Sequence, residues 1–225
     1  MSHVQKQRIY EQFARIGKAV ASPARLELLD LLAQAERSVE DLAARAQLTV
    51  ANASQHLRGL HAARLVDVRR DGKHMIYRLA SAEVAPLLVS LRRVAEAQLA
   101  DLDRVAEDYL KGRNAFEPID RHELHRRMAA GEVLLIDVRP REEFDACHIA
   151  GALSVTDVEA FARNVPAGMA VVAYCRGPYC VYALEAAGRL RALGIAAGRL
   201  EDGVAEWRMA GLPVEPDRWL QASTP

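Results

Sequence analysis

The spacing of apolar residues changes once along this 225-residue chain, and the change limits the folds that it can adopt. Up to about residue 110, apolar residues recur every three or four positions, which is the period of amphipathic helices. Beyond the polar segment Lys111–Asn114, short apolar runs such as Val133–Val138 and Met169–Tyr174 alternate with helical segments. Such alternation is typical of an α/β fold with a parallel central sheet. The sequence therefore predicts a multidomain protein, with a mainly α domain over residues 1–112 and an α/β domain over residues 113–225.

The first half contains two short helical segments, 39–46 and 50–63, which are separated by a break at Leu48-Thr49. Two strand-like segments, 65–68 and 75–79, follow and flank the turn dipeptide Asp71-Gly72. This order matches a helix-turn-helix with a β-hairpin wing, a unit whose second helix enters the major groove of DNA. The segment 45–78 carries seven basic and two acidic residues, as a phosphate-binding surface requires. The alternative is a winged helix that makes only protein contacts.

Polar and basic side chains in this region are the candidates for DNA contact. Asn and Gln pair with adenine in the major groove, and Arg or His reaches guanine or phosphate. The second helix therefore offers Asn52, Ser54, Gln55, His56 and Arg58. The hairpin offers side chains for phosphate or minor-groove contact, namely Arg69, Arg70, Lys73 and His74.

The segment LTVANASQHLRGLHAARLVDVRRDGKHMIYRL resembles the helix-turn-helix and wing of ArsR-type winged-helix repressors. The resemblance implies a homodimer, joined through its N- and C-terminal helices, that binds double-stranded DNA at an inverted-repeat operator. A heptad-like apolar stripe in a helix predicted from Ser81 to about Leu110 favours a dimer seam, with packing inside the domain as the alternative. Many members of the family bind metal, but here no cysteine precedes position 147 and residues 81–110 contain no histidine. We therefore expect no metal and no other cofactor.

The cysteine count and the apolar runs indicate the compartment. Three cysteines, an odd number, do not make up a disulfide framework of the kind found in secreted proteins. The chain shows no signal-peptide pattern and no apolar run near the roughly 18–20 residues that cross a bilayer. We therefore expect a cytoplasmic protein without membrane contact.

A cysteine follows the second apolar run, at Tyr174-Cys175, and a helix is predicted from Val181 to Leu193. A thiol where a strand leads into a helix N-terminus meets unpaired backbone N–H groups and the positive end of the helix dipole. This setting lowers the pKa of the thiol and makes Cys175 a candidate nucleophile. The loop that follows supplies a cation, a flexible glycine and a rigid proline, and consists of Arg176, Gly177, Pro178, Tyr179 and Cys180. Cys180 is near enough to resolve a modified Cys175, or else it is a small apolar filler.

Residues 116–215 resemble rhodaneses. The segments LLIDVRPREEFDACHIAGALSV and LEDGVAEWRMAGLPVE, together with the Cys175 loop, carry the match. It implies that Cys175 accepts a sulfane sulfur from thiosulfate or polysulfide as a persulfide, which the loop N–H groups hold. Related phosphatases and arsenate reductases need an arginine six residues after the cysteine. Position 181 is valine, so those activities are disfavoured.

The remaining polar residues of this half are interpreted as structural. Asp137, Arg139 and Glu143 are expected to form ion pairs that brace the loops, and His148 is expected to make a structural hydrogen bond. Cys147 stands where the rhodanese pattern usually has glycine, and we expect it to be a partly exposed thiol without a redox role.

These features predict a transcriptional regulator, specifically a repressor, whose rhodanese-like domain senses or transfers sulfane sulfur through a persulfide on Cys175. Two alternatives stay open. The chain is either an active thiosulfate or polysulfide sulfurtransferase that the winged helix localises, or its rhodanese-like domain is a catalytically idle docking module. Sulfur transfer from thiosulfate to cyanide distinguishes the enzyme from the other two.

Overall fold

A computed structural model describes residues 3–110 and 119–216 of the chain. The residues form two compact units: the first extends to Leu88, and the second begins at Val89. This division falls inside a helix, whereas the sequence predicts the domain boundary between residues 112 and 113. The predicted join at Lys111–Asn114 lies outside the described residues, so that boundary stays a prediction.

The first unit is a winged helix-turn-helix, as predicted. Its helices and strands are α1 (His3–Val20), α2 (Pro23–Gln34), β1 (Arg37–Ser38), α3 (Val39–Arg45), α4 (Val50–Ala62), β2 (Val66–Asp71) and β3 (His74–Leu79). The strands form an antiparallel sheet in the order β1-β3-β2. Local sequence sets the ends of these elements, because the Ser38 hydroxyl accepts a hydrogen bond from Asp41 N–H and the Thr49 hydroxyl accepts one from Asn52 N–H, each at 3.2 Å. Gly72 makes the hairpin turn with a φ of 58°.

The prediction of one continuous helix from Ser81 to about Leu110 is wrong. The chain forms α5 (Val84–Gln98) and α6 (Ala100–Tyr109), which are separated at Leu99, where the backbone is extended. Asp101 and Asp103 lie in the first turn of α6, where acidic side chains interact favourably with the positive end of a helix dipole. These two acids stabilise a new helix start at a position where the apolar spacing alone predicts continuation.

The second unit contains the predicted α/β fold. Beyond residue 118 its elements are α7 (Arg121–Ala129), β4 (Val133–Asp137), α8 (Arg141–Ala146), β5 (His148–Ile149), β6 (Leu153–Ser154), α9 (Val158–Ala162), β7 (Ala170–Tyr174), α10 (Val181–Ala192), β8 (Ala197–Arg199), α11 (Val204–Met209) and β9 (Val214–Glu215). Four strands form a parallel sheet in the order β6-β4-β7-β8, and β5 pairs antiparallel with β9.

Strand β7 is central to this sheet and is covered on both faces. Val171 and Ala173 belong to the hydrophobic cluster that includes α10, whereas Val172 and Tyr174 belong to the cluster around Trp207 of α11. Alternate residues of a strand point to opposite faces, so the next residue, Cys175, joins the cluster on the α10 face. Apolar burial on both sides of β7 therefore fixes where the cysteine loop begins.

No helix within residues 3–110 or 119–216 combines the length and the apolar composition that a transmembrane segment needs.

A set of ion pairs stabilises α3, the helix that precedes α4 in the chain. Arg37 is almost fully buried and donates a 2.7 Å hydrogen bond to Asp41, and Arg45 Nε donates to the same carboxylate at 2.9 Å. Burial opposes ionisation of Asp41, but the hydrogen bonds from the two arginines outweigh it and hold the pKa below its ordinary value of 3.8. The charged carboxylate therefore stabilises the folded state.

We predict that Asp41→Asn lowers the free energy of unfolding at neutral pH and has little effect near pH 2. Because the folded-state pKa of Asp41 is lowered, its contribution is present above the unfolded pKa and is lost as pH falls through the folded one. Urea denaturation between pH 2 and pH 7 measures this. Asp108→Asn, at an exposed position of α6, is the control. An Asp41→Asn effect independent of pH would contradict the ion-pair explanation.

Candidate DNA-binding surface and cysteine loop

The predicted base-reading residues of α4 differ in exposure. Asn52, Gln55 and Arg58 are exposed, while Ser54 and His56 are half-buried. Three-residue spacing places the three exposed side chains on neighbouring parts of the helix surface. Leu57 and Leu60 are fully buried on the other side of the helix. The side chains most available to a base edge are therefore those of Asn52, Gln55 and Arg58, and their contact with DNA stays a prediction.

The four predicted wing residues are all exposed, but three of them already have partners within the chain. Arg69 donates to Glu36 at 2.6 Å and to Asp71 at 3.0 Å. His74 Nδ1 lies 3.5 Å from a carboxylate oxygen of Glu40, and Arg70 Nε donates to the Gly72 carbonyl at 3.0 Å. A phosphate would have to compete with these groups. Lys73, at the hairpin turn, is the wing cation for which no such pair is described.

The structure joins Cys175 and Cys180 by a disulfide. Cys175 directly follows β7 and is buried, and Cys180 is the N-cap residue of α10. Their Cα atoms are 6.1 Å apart, within the usual range of about 4.4–6.8 Å for disulfides. A 3.1 Å hydrogen bond from Cys180 N–H to the Gly177 carbonyl closes the loop between them. Of the two roles that the sequence leaves open for Cys180, this arrangement favours a reactive partner of Cys175.

The guanidinium of Arg176 is turned toward an acid. It donates to both carboxylate oxygens of Glu143, at 3.0 and 2.6 Å, and Glu143 is fully buried. A bidentate pair of this kind fixes both side chains. The sequence predicts that Arg176 contributes a positive charge beside Cys175, but the negative charge of Glu143 largely offsets it. Arg176 therefore holds the loop against α8.

A close backbone approach holds the loop from the other side. Gly203, the N-cap of α11, is so near the loop that a Cβ atom placed on it would lie 2.3 Å from the carbonyl oxygen of Arg176. Glu206 accepts a hydrogen bond from Gly203 N–H at 2.9 Å and is almost fully buried. Gly177 itself has a φ of 147°, a conformation that favours glycine. Only glycine allows both contacts without displacing the loop.

A buried polar network lies beneath the end of β7. Arg139 donates to Asp137 at 2.6 Å and to the Cys147 carbonyl at 2.7 Å. The Tyr174 hydroxyl donates to Asp137 and accepts from Ile149 N–H. Burial and the neighbouring carboxylate raise the pKa of Tyr174 well above its ordinary value, so the hydroxyl stays protonated. The predicted bracing role of Asp137 and Arg139 fits these contacts.

The expectation that Cys147 is partly exposed is wrong. Its side chain is buried, because the residue ends α8 while its carbonyl is held by Arg139. The neighbouring His148 Nδ1 lies 2.8 Å from the Phe144 carbonyl, and its ring stacks on that of Phe144. Both contacts suit the structural role predicted for His148.

Sequence reasoning missed three residues around the loop: Arg92, Glu96 and Glu206. Tyr179 donates to Glu96 at 2.9 Å, and Arg92 pairs with Glu206. All four residues belong to the second compact unit. Only Glu206 carries a local signal, since it lies three residues after Gly203 in a capping arrangement. The contacts of α5 with the loop join residues more than 80 positions apart, and no local pattern predicts them.

Comparison with known proteins covers both halves of the chain. Residues 22–68 match the family described as bacterial regulatory protein, arsR family, and residues 120–210 match the rhodanese-like domain. The HTH-type transcriptional regulator Rv0324 of Mycobacterium tuberculosis is 44% identical over 212 residues, which cover 93% of each chain. The chain is an ArsR-family transcriptional regulator with a rhodanese-like domain.

Two further relatives each match about half of this ArsR-family regulator. The uncharacterized HTH-type transcriptional regulator Rv0081 of Mycobacterium tuberculosis is 40% identical over 48% of this chain and 95% of its own. The homodimeric winged helix-turn-helix domain of Mb0332 from Mycobacterium bovis, solved by NMR, is 40% identical. It covers 44% of this chain and 91% of its own, with a TM-score of 0.41.

We predict that Gly203→Ala destabilises the second unit of the regulator by about 1–3 kcal/mol, because the added Cβ cannot fit beside the Arg176 carbonyl. Chemical denaturation followed by the fluorescence of buried Trp207 measures the loss. Gly198→Ala is the matched control, since a Cβ on Gly198, in β8, meets no atom within 4 Å. Equal stability of the two variants would show that the close approach is unimportant.

Proposed function

We propose that this ArsR-family regulator is a dimeric repressor whose affinity for DNA depends on the reaction of sulfane sulfur with Cys175. The pairing of Cys175 with Cys180, at the junction of β7 and α10, is the observation that supports this most directly. A second thiol beside the nucleophile suits a switch better than continuous sulfur transfer, because it diverts the sulfur from an outside acceptor.

The setting of Cys175 favours this chemistry in the reduced protein. Its sulfur lies at the start of a loop that leads into α10, a helix of 12 residues. The positive end of such a helix stabilises a thiolate, which is the nucleophilic form. The paired Arg176 and Glu143 contribute position more than charge. Cys175 is buried in an apolar cluster, so we assign to the end of α10 the role of favouring the thiolate.

The proposed reaction consists of two steps that balance. The Cys175 thiolate attacks the outer sulfur of thiosulfate, the bond from that sulfur to the sulfonate breaks, and sulfite leaves with the bonding electrons. Cys180 then attacks the sulfur of Cys175 and loses its proton to the departing outer sulfur, which leaves as hydrosulfide. The sulfane sulfur is thereby reduced to sulfide, and the two thiols are oxidised to one disulfide. A polysulfide donor reacts in the same way and releases a shortened polysulfide.

The dimer is supported by apolar side chains that the chain leaves exposed on its terminal helices. Those of α1, α5 and α6, with Leu99 between the last two, include Ile9, Tyr10, Phe13, Leu91, Val94, Leu99, Val105 and Tyr109. Exposed apolar side chains of this kind, on each helix taken by itself, are typical of protein–protein interfaces. We propose that a second copy of the chain covers these side chains, and the homodimeric winged helix-turn-helix domain of Mb0332 from Mycobacterium bovis is a relative that forms a dimer. Two-fold symmetry would then present two α4 helices to the two halves of an inverted repeat.

We predict that polysulfide weakens binding of the wild-type protein to DNA from upstream of its own gene by about fivefold or more. Cys175→Ser removes the acceptor and should abolish the response. Cys180→Ser should abolish it too, because the proposed signal is the disulfide. A mobility-shift titration measures all three proteins.

Cys147→Ser is the matched control and should respond like the wild type, since Cys147 is buried outside the loop. A response that persists in Cys175→Ser would defeat the sensing proposal. Repeated sulfur transfer from thiosulfate to cyanide, without any change in DNA affinity, would favour the sulfurtransferase alternative instead.

We predict that Gln55→Ala weakens binding to the specific sequence by about 1–3 kcal/mol while leaving nonspecific binding nearly unchanged, because a base contact carries sequence information. Lys73→Ala should weaken binding to all sequences and make its salt dependence shallower by about one unit per subunit. Fluorescence anisotropy at several salt concentrations separates the two effects. Arg163→Ala, an exposed cation in the second unit, is the control for net charge. A uniform loss in Gln55→Ala would remove this residue from the base-reading set.

A further inference from the structure

Two residues of α5, one helical turn apart, contact the elements that hold the cysteine loop. Glu96 accepts a 2.9 Å hydrogen bond from the hydroxyl of Tyr179, the residue directly before Cys180. Arg92 pairs with the buried carboxylate of Glu206. Arg92 and Glu96 are themselves 3.7 Å apart between Nε and Oε1. These contacts all lie within the second compact unit.

The Arg92 contact reaches the loop backbone through Glu206. Glu206 caps Gly203, and Gly203 lies against the Arg176 carbonyl. Arg92 also approaches the loop directly, since a Cβ on Gly177 would lie 3.5 Å from its Nη1 atom. The loop is thus held at Tyr179, close to Cys180, and at Arg176–Gly177, close to Cys175. Both points of attachment lead to the same turn of α5.

We infer that Glu96 and Arg92 are positioning residues for the disulfide, so that the thiol–disulfide equilibrium of Cys175 and Cys180 is coupled to α5. The observed loop has Tyr179 bound to Glu96 while Cys180 is bonded to Cys175. Reduction frees Cys180 from Cys175 and lets Tyr179 move, which changes the restraint on α5. This inference rests on the proposed function, because it assumes that formation of the disulfide changes the affinity for DNA.

Helix α5 is suited to transmit this restraint. It is continuous from Val84 to Gln98, so its first residues belong to the first compact unit and its later residues to the second. Coupling between two sites is reciprocal: if the disulfide changes DNA affinity by some factor, DNA changes the disulfide equilibrium by the same factor. Bound DNA is therefore expected to alter how readily the loop is reduced.

The test measures reduction of the full-length protein by dithiothreitol, which is oxidised to its cyclic disulfide as the loop gains two thiols. Samples equilibrated at fixed pH are alkylated after denaturation and weighed by mass spectrometry. The chain has three cysteines, so the disulfide form gains one alkyl group and the reduced form gains three. Tyr179→Phe removes the hydroxyl that donates to Glu96, whereas Glu96→Ala removes both that acceptor and the 3.7 Å contact of Glu96 with Arg92.

We predict that each variant shifts the equilibrium toward the reduced form by about threefold to tenfold, the effect of losing one hydrogen bond to a charged, partly exposed group. The double variant should shift it no further than Glu96→Ala alone, because Glu96→Ala already removes the contact that Tyr179→Phe removes. Tyr182→Phe is the matched control, since Tyr182 is an exposed tyrosine at the start of α10. Additive effects, or an unchanged equilibrium in folded Tyr179→Phe, would overturn the inference.

A second measurement separates this inference from the proposed function. Duplex DNA from upstream of the gene should shift the equilibrium of the wild type and have a smaller effect on Tyr179→Phe. If polysulfide alters DNA affinity equally in the wild type and in Tyr179→Phe, the coupling through Tyr179 is wrong while sulfur sensing stands. If polysulfide leaves the DNA affinity of the wild type unchanged, the proposed function fails, whatever the effect of the variants on reduction.

Discussion

Burial of β7 on both faces is the constraint on which the cysteine loop depends. The strand contributes alternate side chains to two hydrophobic clusters, one with α10 and one around Trp207. A slip of β7 by one residue would exchange the side chains of the two filled clusters and would remove the Tyr174 hydroxyl from Asp137. Cys175 therefore leaves the sheet at one fixed point, and α10 begins six residues after it, at Val181. A reactive sulfur placed in this way needs few dedicated residues, because the fold itself positions it.

Polar contacts further restrain the cysteine loop, whose starting point is fixed by apolar burial of β7. The pair of Arg176 and Glu143 restrains the first residue of the loop after Cys175, and the approach of Gly203 restrains the carbonyl of the same residue. Buried ion pairs contribute little net stability, since desolvation offsets much of their attraction, but breaking one leaves an uncompensated charge. Their effect here is to limit the loop to few conformations. Cys180 can then meet Cys175 without a search over many loop shapes.

Local sequence was sufficient for those elements whose ends depend on neighbouring residues. Thr49 caps α4, Asp71-Gly72 makes the hairpin turn, and the change from a buried run to a helix at Cys175 predicts β7 and α10. The predictions that were wrong, and the contacts that were missed, depend on tertiary packing or on weak local preferences. Burial of Cys147 accompanies the end of α8, and two acids in the first turn of α6 favour a helix start that apolar spacing does not predict. The contact of Tyr179 with Glu96 spans 83 positions and has no local signature.

The expected size of the proposed coupling between loop and helix depends on the burial of its contacts. The bond from Tyr179 to Glu96 is exposed, and such a bond contributes about 0.5–1.5 kcal/mol, which alone gives a modest change in affinity. The pair of Arg92 with Glu206 has more influence, because Glu206 is almost fully buried and its carboxylate cannot exchange Arg92 for water without cost. A change of loop shape that disturbs both contacts reaches the roughly 1–3 kcal/mol typical of regulated binding. Under the proposed coupling no large rearrangement is needed, because a change of loop shape that breaks the contacts of Arg92 and Glu96 would alter the restraint on α5.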